Sequence, residues 1–175
     1  IVMTDKVFSE NRKKKDDWEF KALLDSELGH PVIIIPWTSH EDDVYGHSDG
    51  FIKWCGDNRI LMGNHGDCHP DEAASIRRIL ESYGFEVTEI RFKDKVDTPC
   101  CDLNWAYINF LQVGKNIIMP KFNIEEDAIA QQYIQEAFPD CCIRQIEMVE
   151  EIAKEGGALH CLSWNVYLPK SHVKT

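Results

Sequence analysis

The chain has 175 residues, of which 43% are hydrophobic and 10% aromatic, and it carries a formal net charge of −11. That length suits one domain with its own core. The charge argues against a nucleic-acid partner, because no basic surplus exists to displace counterions from phosphates, and an acidic surface suits a cationic ligand instead. No apolar run approaches the roughly 18 residues of a spanning helix, so no membrane partner is expected.

Seven cysteines are present, including the adjacent pairs Cys100-Cys101 and Cys141-Cys142. An odd count without regular spacing points to reduced thiols and a cytoplasmic setting. No signal peptide is visible. The chain opens on Ile1-Val2-Met3, which reads as the middle of a strand. It is therefore expected to begin inside a longer protein, which leaves a removed leader open.

Three helices have similar opening signals. The first starts at Asp16-Asp17-Trp18-Glu19, a cap followed by an acid, and runs to Leu28, where Gly29 and Pro31 end it. The second opens near His69-Pro70-Asp71-Glu72, with proline in the first turn and acids facing the dipole, and ends at Tyr83-Gly84. The third opens at Asn123-Ile124-Glu125-Glu126 and stops at Pro139. The openings recur at nearly equal intervals, the mark of a repeat. Each helix is followed by a β-rich run: Val32-Ile33-Ile34-Ile35, Phe85 to Ile90, and Ile143 to Ile146. Hairpins precede the second and third helices. One runs from Phe51 to Met62 and turns at Gly56-Asp57-Asn58; the other runs from Tyr107 to Met119 and turns at Val113-Gly114-Lys115-Asn116. The unit is strand, strand, helix, strand, seen nearly three times over about 1–46, 47–99 and 100–175, and the first copy lacks its opening strand. One further strand is expected to carry Cys161. Each amphipathic helix needs a sheet to cover it, so the units should pack side by side in an α/β ring or arc. The basic run Arg12-Lys13-Lys14-Lys15 reads as a solvated loop.

Two stretches carry candidate chemistry. Gly156-Gly157-Ala158-Leu159-His160-Cys161 places a thiol after a glycine pair, and Gly46-His47-Ser48-Asp49-Gly50 holds an imidazole and a carboxylate two residues apart. On a strand, His47 and Asp49 would share one face. Cys161 and His47 can form a nucleophile and base pair, while Asp49 can orient the ring or grip a cation. Each stretch also has a plainer reading, as a buried cysteine after a turn and as a surface loop. His160 is expected to face away from Cys161, into the core. The cluster His65-Gly66-Asp67-Cys68-His69 matches no common zinc spacing, and Glu41-Asp42-Asp43 lacks the rest of a calcium loop, so no metal and no cofactor is assigned. Trp54, Trp105 and Trp164 read as core or pocket walls.

Together, Gly46-His47-Ser48-Asp49-Gly50, Trp105-Ala106-Tyr107-Ile108-Asn109-Phe110 and Gly156 to Cys161 resemble the agmatine deiminase and bacterial-type (Porphyromonas-type) peptidylarginine deiminase family. The motifs come in that family's order and cover nearly the whole chain. The resemblance implies a pentein fold, an α/β propeller of five strand-strand-helix-strand units, of which this chain would hold about three. It implies hydrolysis of a guanidino group, on a small cationic guanidine or an arginine side chain. Cys161 would be the nucleophile, His47 the general acid and base, and Asp49 the guanidinium ligand, with Asn109 lining the pocket. The family's Trp-x-Arg-Asp motif has no counterpart here, and Ser163-Trp164-Asn165-Val166 replaces its glutamine-rich run. The chain is therefore expected to be a fragment of a longer enzyme that supplies a second carboxylate, or to pair with another copy as a homodimer that covers its open sheet edges. An amidinotransferase and a non-catalytic binding module of the same fold stand as alternatives. A papain-like protease fits poorly, because its cysteine precedes its histidine.

Overall fold

The structure is a computed structural model that describes residues 1–37, 46–97, 99, 101–147, 149–164 and 166. The acidic run Glu41-Asp42-Asp43 lies outside them. Elements follow in chain order: β1 (Val2–Thr4), α1 (Lys6–Glu10), α2 (Trp18–Leu28), β2 (Ile33–Ile35), β3 (Ile52–Trp54), β4 (Arg59–Met62), α3 (His65–Cys68), α4 (Pro70–Ser82), β5 (Glu86–Glu89), α5 (Cys101–Asn104), β6 (Leu111–Val113), β7 (Asn116–Pro120), α6 (Glu126–Ala137), β8 (Cys142–Ile146) and α7 (Glu150–Lys154). Two 3-10 turns, Ser48–Gly50 and Trp105–Tyr107, complete the described elements.

The strands form three small sheets, β1-β2, β3-β4-β5 and β6-β7-β8. In both three-stranded sheets the first pair is an antiparallel hairpin and the second pair is parallel, bridged by a helix. β1 and β2 pair in parallel around α1 and α2. That is the repeat read from the sequence, with the opening strand missing from the first copy. α2 starts where expected, with the Asp17 carboxylate accepting from the Phe20 amide at 2.9 Å. Proline occupies the first turn of α4. α6 opens differently from a simple asparagine cap, because Asp127 reaches back to accept from the Phe122 and Ile124 amides at 2.9 and 3.1 Å.

Burial explains why the sheets lie together. Ala73, Ile76 and Leu80 fall on one stripe of α4 and pack with Ile33 and Ile35 of β2, and with Ile60 and Met62 of β4. The intervening Leu61 points to the other face of its sheet and joins a second core with Tyr107, Phe110, Ile117, Met119 and Ile134. β4 is thus apolar on both faces, as a strand between two layers requires. Each fully buried Leu, Ile, Met or Phe contributes roughly 1.5–3 kcal/mol by leaving water.

Three expectations are corrected. The segment around Cys161 is a turn rather than a strand: Leu162 N–H donates to Ala158 O at 3.1 Å and Ser163 N–H to His160 O at 3.0 Å. His47, Ser48 and Asp49 are not strand neighbours either, because Ser48–Gly50 is a 3-10 turn with His47 at its start. Trp54 and Trp164 stand at the surface, 64% and 90% exposed, so neither is a core wall. The basic run from Arg12 to Lys15 is exposed, as expected. His65 of the candidate metal cluster pairs instead with Glu72 at 2.6 Å. Among the described residues, no helix is long and apolar enough to cross a membrane.

Candidate active site

The turn that carries Asp49 is fixed from below. Gly46 adopts φ +61°, and a side chain there would meet the Trp37 indole at 3.0 Å, so only glycine fits. The Thr4 hydroxyl donates to Gly46 O at 2.5 Å, and the Ser48 hydroxyl donates to Val2 O at 3.2 Å. Both bonds tie the turn to β1. His47, exposed at the head of this turn, lines a hollow of about 340 Å³ together with Asp49, Met3, Lys6 and Glu10.

The turn that carries Cys161 hangs from α7. Gly156, at φ +83°, ends that helix, its N–H donating to Ala153 O at 3.1 Å. Ala158 then buries itself against Leu103, Ala106 and Ala153. Beyond it, His160 and Cys161 emerge beside Asn109.

Asn109 joins the two turns. It is fully buried, two residues after the Trp105–Tyr107 turn, and uses both ends of its amide. Its backbone carbonyl accepts from His160 N–H at 2.9 Å, and its Oδ1 accepts from Cys161 N–H at 3.2 Å. Its Nδ2 donates to Asp49 Oδ2 at 3.0 Å and to Asp49 O at 3.3 Å. A residue expected only to line the site is therefore the strut between carboxylate and thiol.

Three groups converge on Asp49 Oδ2: His160 Nδ1 at 2.7 Å, Asn109 Nδ2 at 3.0 Å and Cys161 Sγ at 3.6 Å. Burial works against the charge of Asp49. The hydrogen bond and charge of His160, with Asn109 and the Cys161 thiol, more than offset it and hold the carboxyl below its ordinary value. The expectation that His160 faces away from Cys161 is overturned, because in a turn consecutive side chains need not alternate as they do on a strand. His47 stands two residues before Asp49 at the head of the same turn and lines the hollow beside it.

One residue escaped the sequence reading. Lys53, on β3, donates to Phe110 O at 3.3 Å and lies 4.9 Å from the centre of the Phe110 ring. Burial pulls its ammonium below the ordinary value, against the charges of Asp49, Cys161 and Cys55, which favour it. The signal was a lysine between Ile52 and Trp54, four residues after Asp49. Cys55, just past the end of β3, is a buried thiol pushed up by its burial, and it belongs to the core. Cys161 is exposed. The two environments separate a packing cysteine from an available one.

A thiol, a carboxylate and an imidazole thus meet beside a hollow in an α/β chain. A family model for Porphyromonas-type peptidyl-arginine deiminase matches residues 1–166, and the chain belongs to that family, within the pentein superfamily. The agmatine deiminase of Pseudomonas fluorescens is 37% identical over 175 residues, covering 83% of this chain and 47% of that protein. The agmatine deiminase of Ectopseudomonas mendocina is 24% identical over 178 residues, with the same two coverages of 83% and 47%. The solved structure of C. jejuni agmatine deiminase superposes with a TM-score of 0.70 at 18% identity, covering 91% of this chain and 49% of that one, a likeness of fold. The chain spans about half the length, or less, of the curated relatives it matches.

Proposed function

We propose that this chain carries the nucleophile-bearing part of a guanidine deiminase, which converts a guanidino group and water to a ureido group and ammonia. The observation that carries the reading is Cys161 Sγ 3.6 Å from Asp49, an available thiol beside a carboxylate, in a chain of this family. Agmatine, named in the relatives, is the first substrate to try. A guanidinium is planar, cationic and a weak electrophile, so it needs an anionic partner to hold it and a strong nucleophile to attack it.

Asp49 binds the cation. The arriving positive charge favours the thiolate of Cys161, which would otherwise stand next to the Asp49 anion. The sulfur attacks the guanidinium carbon, forming a C–S bond and a tetrahedral intermediate. His47 gives a proton to one nitrogen, the C–N bond breaks, and ammonia leaves a thiouronium on Cys161. His47 then takes a proton from water, whose oxygen attacks the same carbon. Collapse breaks the C–S bond and returns the thiolate, and the hydroxyl proton passes to solvent as the ureido product is released. In this reading the three sheets are part of a five-unit propeller, and the remaining units supply a second carboxylate.

The test is ammonia release from agmatine by the chain, and by the longest natural form of the protein, beside the Cys161→Ala variant of each. Cys161-dependent ammonia supports the reading; equal ammonia from the variant overturns it.

A further inference from the structure

We infer that His160 is a positioning residue for Asp49: with Asn109 it occupies Oδ2, and it leaves Oδ1 alone to receive a cation. The inference rests on the deiminase reading for the identity of that cation, and on geometry for the rest. All three protein groups that reach the Asp49 side chain, from His160, Asn109 and Cys161, meet at Oδ2, and none among the described residues meets Oδ1. The Asp49 side chain as a whole is 28% exposed. The carboxylate is held on one side and open on the other.

His160 is itself held. Its N–H donates to Asn109 O at 2.9 Å. Its own carbonyl accepts from the Ser163 amide at 3.0 Å and from the Ser163 hydroxyl at 2.9 Å. An ionised carboxylate only accepts, so Nδ1 must carry a proton in this contact. The ring therefore donates from a fixed backbone to a fixed oxygen. The Asn109 amide adds a second restraint, because it spans the side chain and the carbonyl of Asp49. Among the described residues, the charged and titratable groups around this pair are Cys161, Lys53 and, two residues away, His47.

The consequence is specific. A guanidinium usually meets a carboxylate as a fork, with two parallel N–H donors on two oxygens. Here one prong is already taken, so Asp49 offers a single oxygen, and a second carboxylate must take the remaining donors.

Two measurements on this chain test the inference. The first needs no ligand: the Asp49 carboxyl is followed by 13C NMR against pH in wild type, His160→Ala and His160→Asn. Asparagine places its amide nitrogen near the position of Nδ1, so it keeps the donor without the ring. The Asp49 midpoint moves upward in His160→Ala and stays near wild type in His160→Asn. An unmoved midpoint in His160→Ala overturns the inference, whatever agmatine does. The second is agmatine binding by calorimetry at pH 8. His160→Ala weakens it about tenfold, as loss of one charge-assisted bond implies, and His160→Asn stays within about threefold. Unchanged binding in His160→Ala overturns the inference and leaves the deiminase reading intact. If the midpoint moves in His160→Ala while wild type binds no agmatine, the positioning role is supported, and the deiminase reading is decided by ammonia release from the longest natural form. Circular dichroism checks each fold. If His160→Ala does not fold, His160→Gln replaces it, since its amide reaches the place of Nε2 and not of Nδ1; an Asp49 midpoint equal in the Gln and Asn variants then overturns the inference.

Discussion

Asp127 and Asp49 each collect three hydrogen bonds, and they distribute them differently. Asp127 is buried, with the Tyr107 hydroxyl and the Phe122 amide on Oδ1 and the Ile124 amide on Oδ2. Asp49 is partly exposed and takes all three on Oδ2. In the first corner both oxygens are engaged by the fold, so the carboxylate locks the start of α6 to the core. In the second, one oxygen remains open beside a thiol and a hollow. Two aspartates of similar hydrogen-bond number thus differ in what they can still do, and the distribution over oxygens separates structural from functional better than the count.

Substitution at each corner should break this comparison in opposite directions. The largest effect is expected from Asp49→Asn on function: agmatine binding falls about a hundredfold by calorimetry, because the anion that faces the cation is lost. The Tm of that variant falls only by the small contribution that the depressed carboxyl makes at neutral pH. Equal binding would return Asp49 to the same class as Asp127. Next comes Asp127→Ala on stability. It strands a hydroxyl and two backbone N–H groups, and a cost of about 3 kcal/mol is expected, or a Tm lower by roughly 10 °C. Urea unfolding measures it, and a loss below about 1 kcal/mol would show that the corner is not structural.

A smaller effect is expected from pH. The Asp49 carboxyl is held below its ordinary 3.8 in the folded chain. A depressed carboxyl stabilises above the unfolded value, and that contribution is lost as pH falls through the folded one. Wild type should therefore lose more stability than Asp49→Asn between pH 5 and pH 3, read as the difference in urea midpoints. Parallel losses would exclude this coupling. The smallest is Gly156→Ala, which forces a side chain onto φ +83° at the end of α7 and costs about 1 kcal/mol. A neutral result would mean that the approach to Cys161 tolerates reshaping.

The elements were legible where local chemistry decides them. Asp17 caps α2, Pro70 opens α4, and two hairpins and three helix-to-strand passages recur in order. The candidate site was legible as a set of residues and not as an arrangement. His160 was misplaced because a glycine pair followed by Leu162-Ser163-Trp164 alternates like a strand. What makes it a turn is distant, since Asn109, about fifty residues upstream, accepts both the His160 and the Cys161 amide. The 3-10 turn at Asp49 depends likewise on Thr4 and Val2. Lys53 gave no motif at all. Its meaning comes from Phe110 and from the charges around it.

Every described strand pairing closes within one sheet, and each sheet draws its strands from a short stretch of chain. Among the described residues, no ladder runs from one sheet into the next. A slip of register in one sheet is therefore not handed on to its neighbours as a continued misalignment. Alignment across the seam between sheets falls to side chains, and at the candidate site to the Asn109 carboxamide and the His160 ring, which together set how far the sulfur stands from the acid.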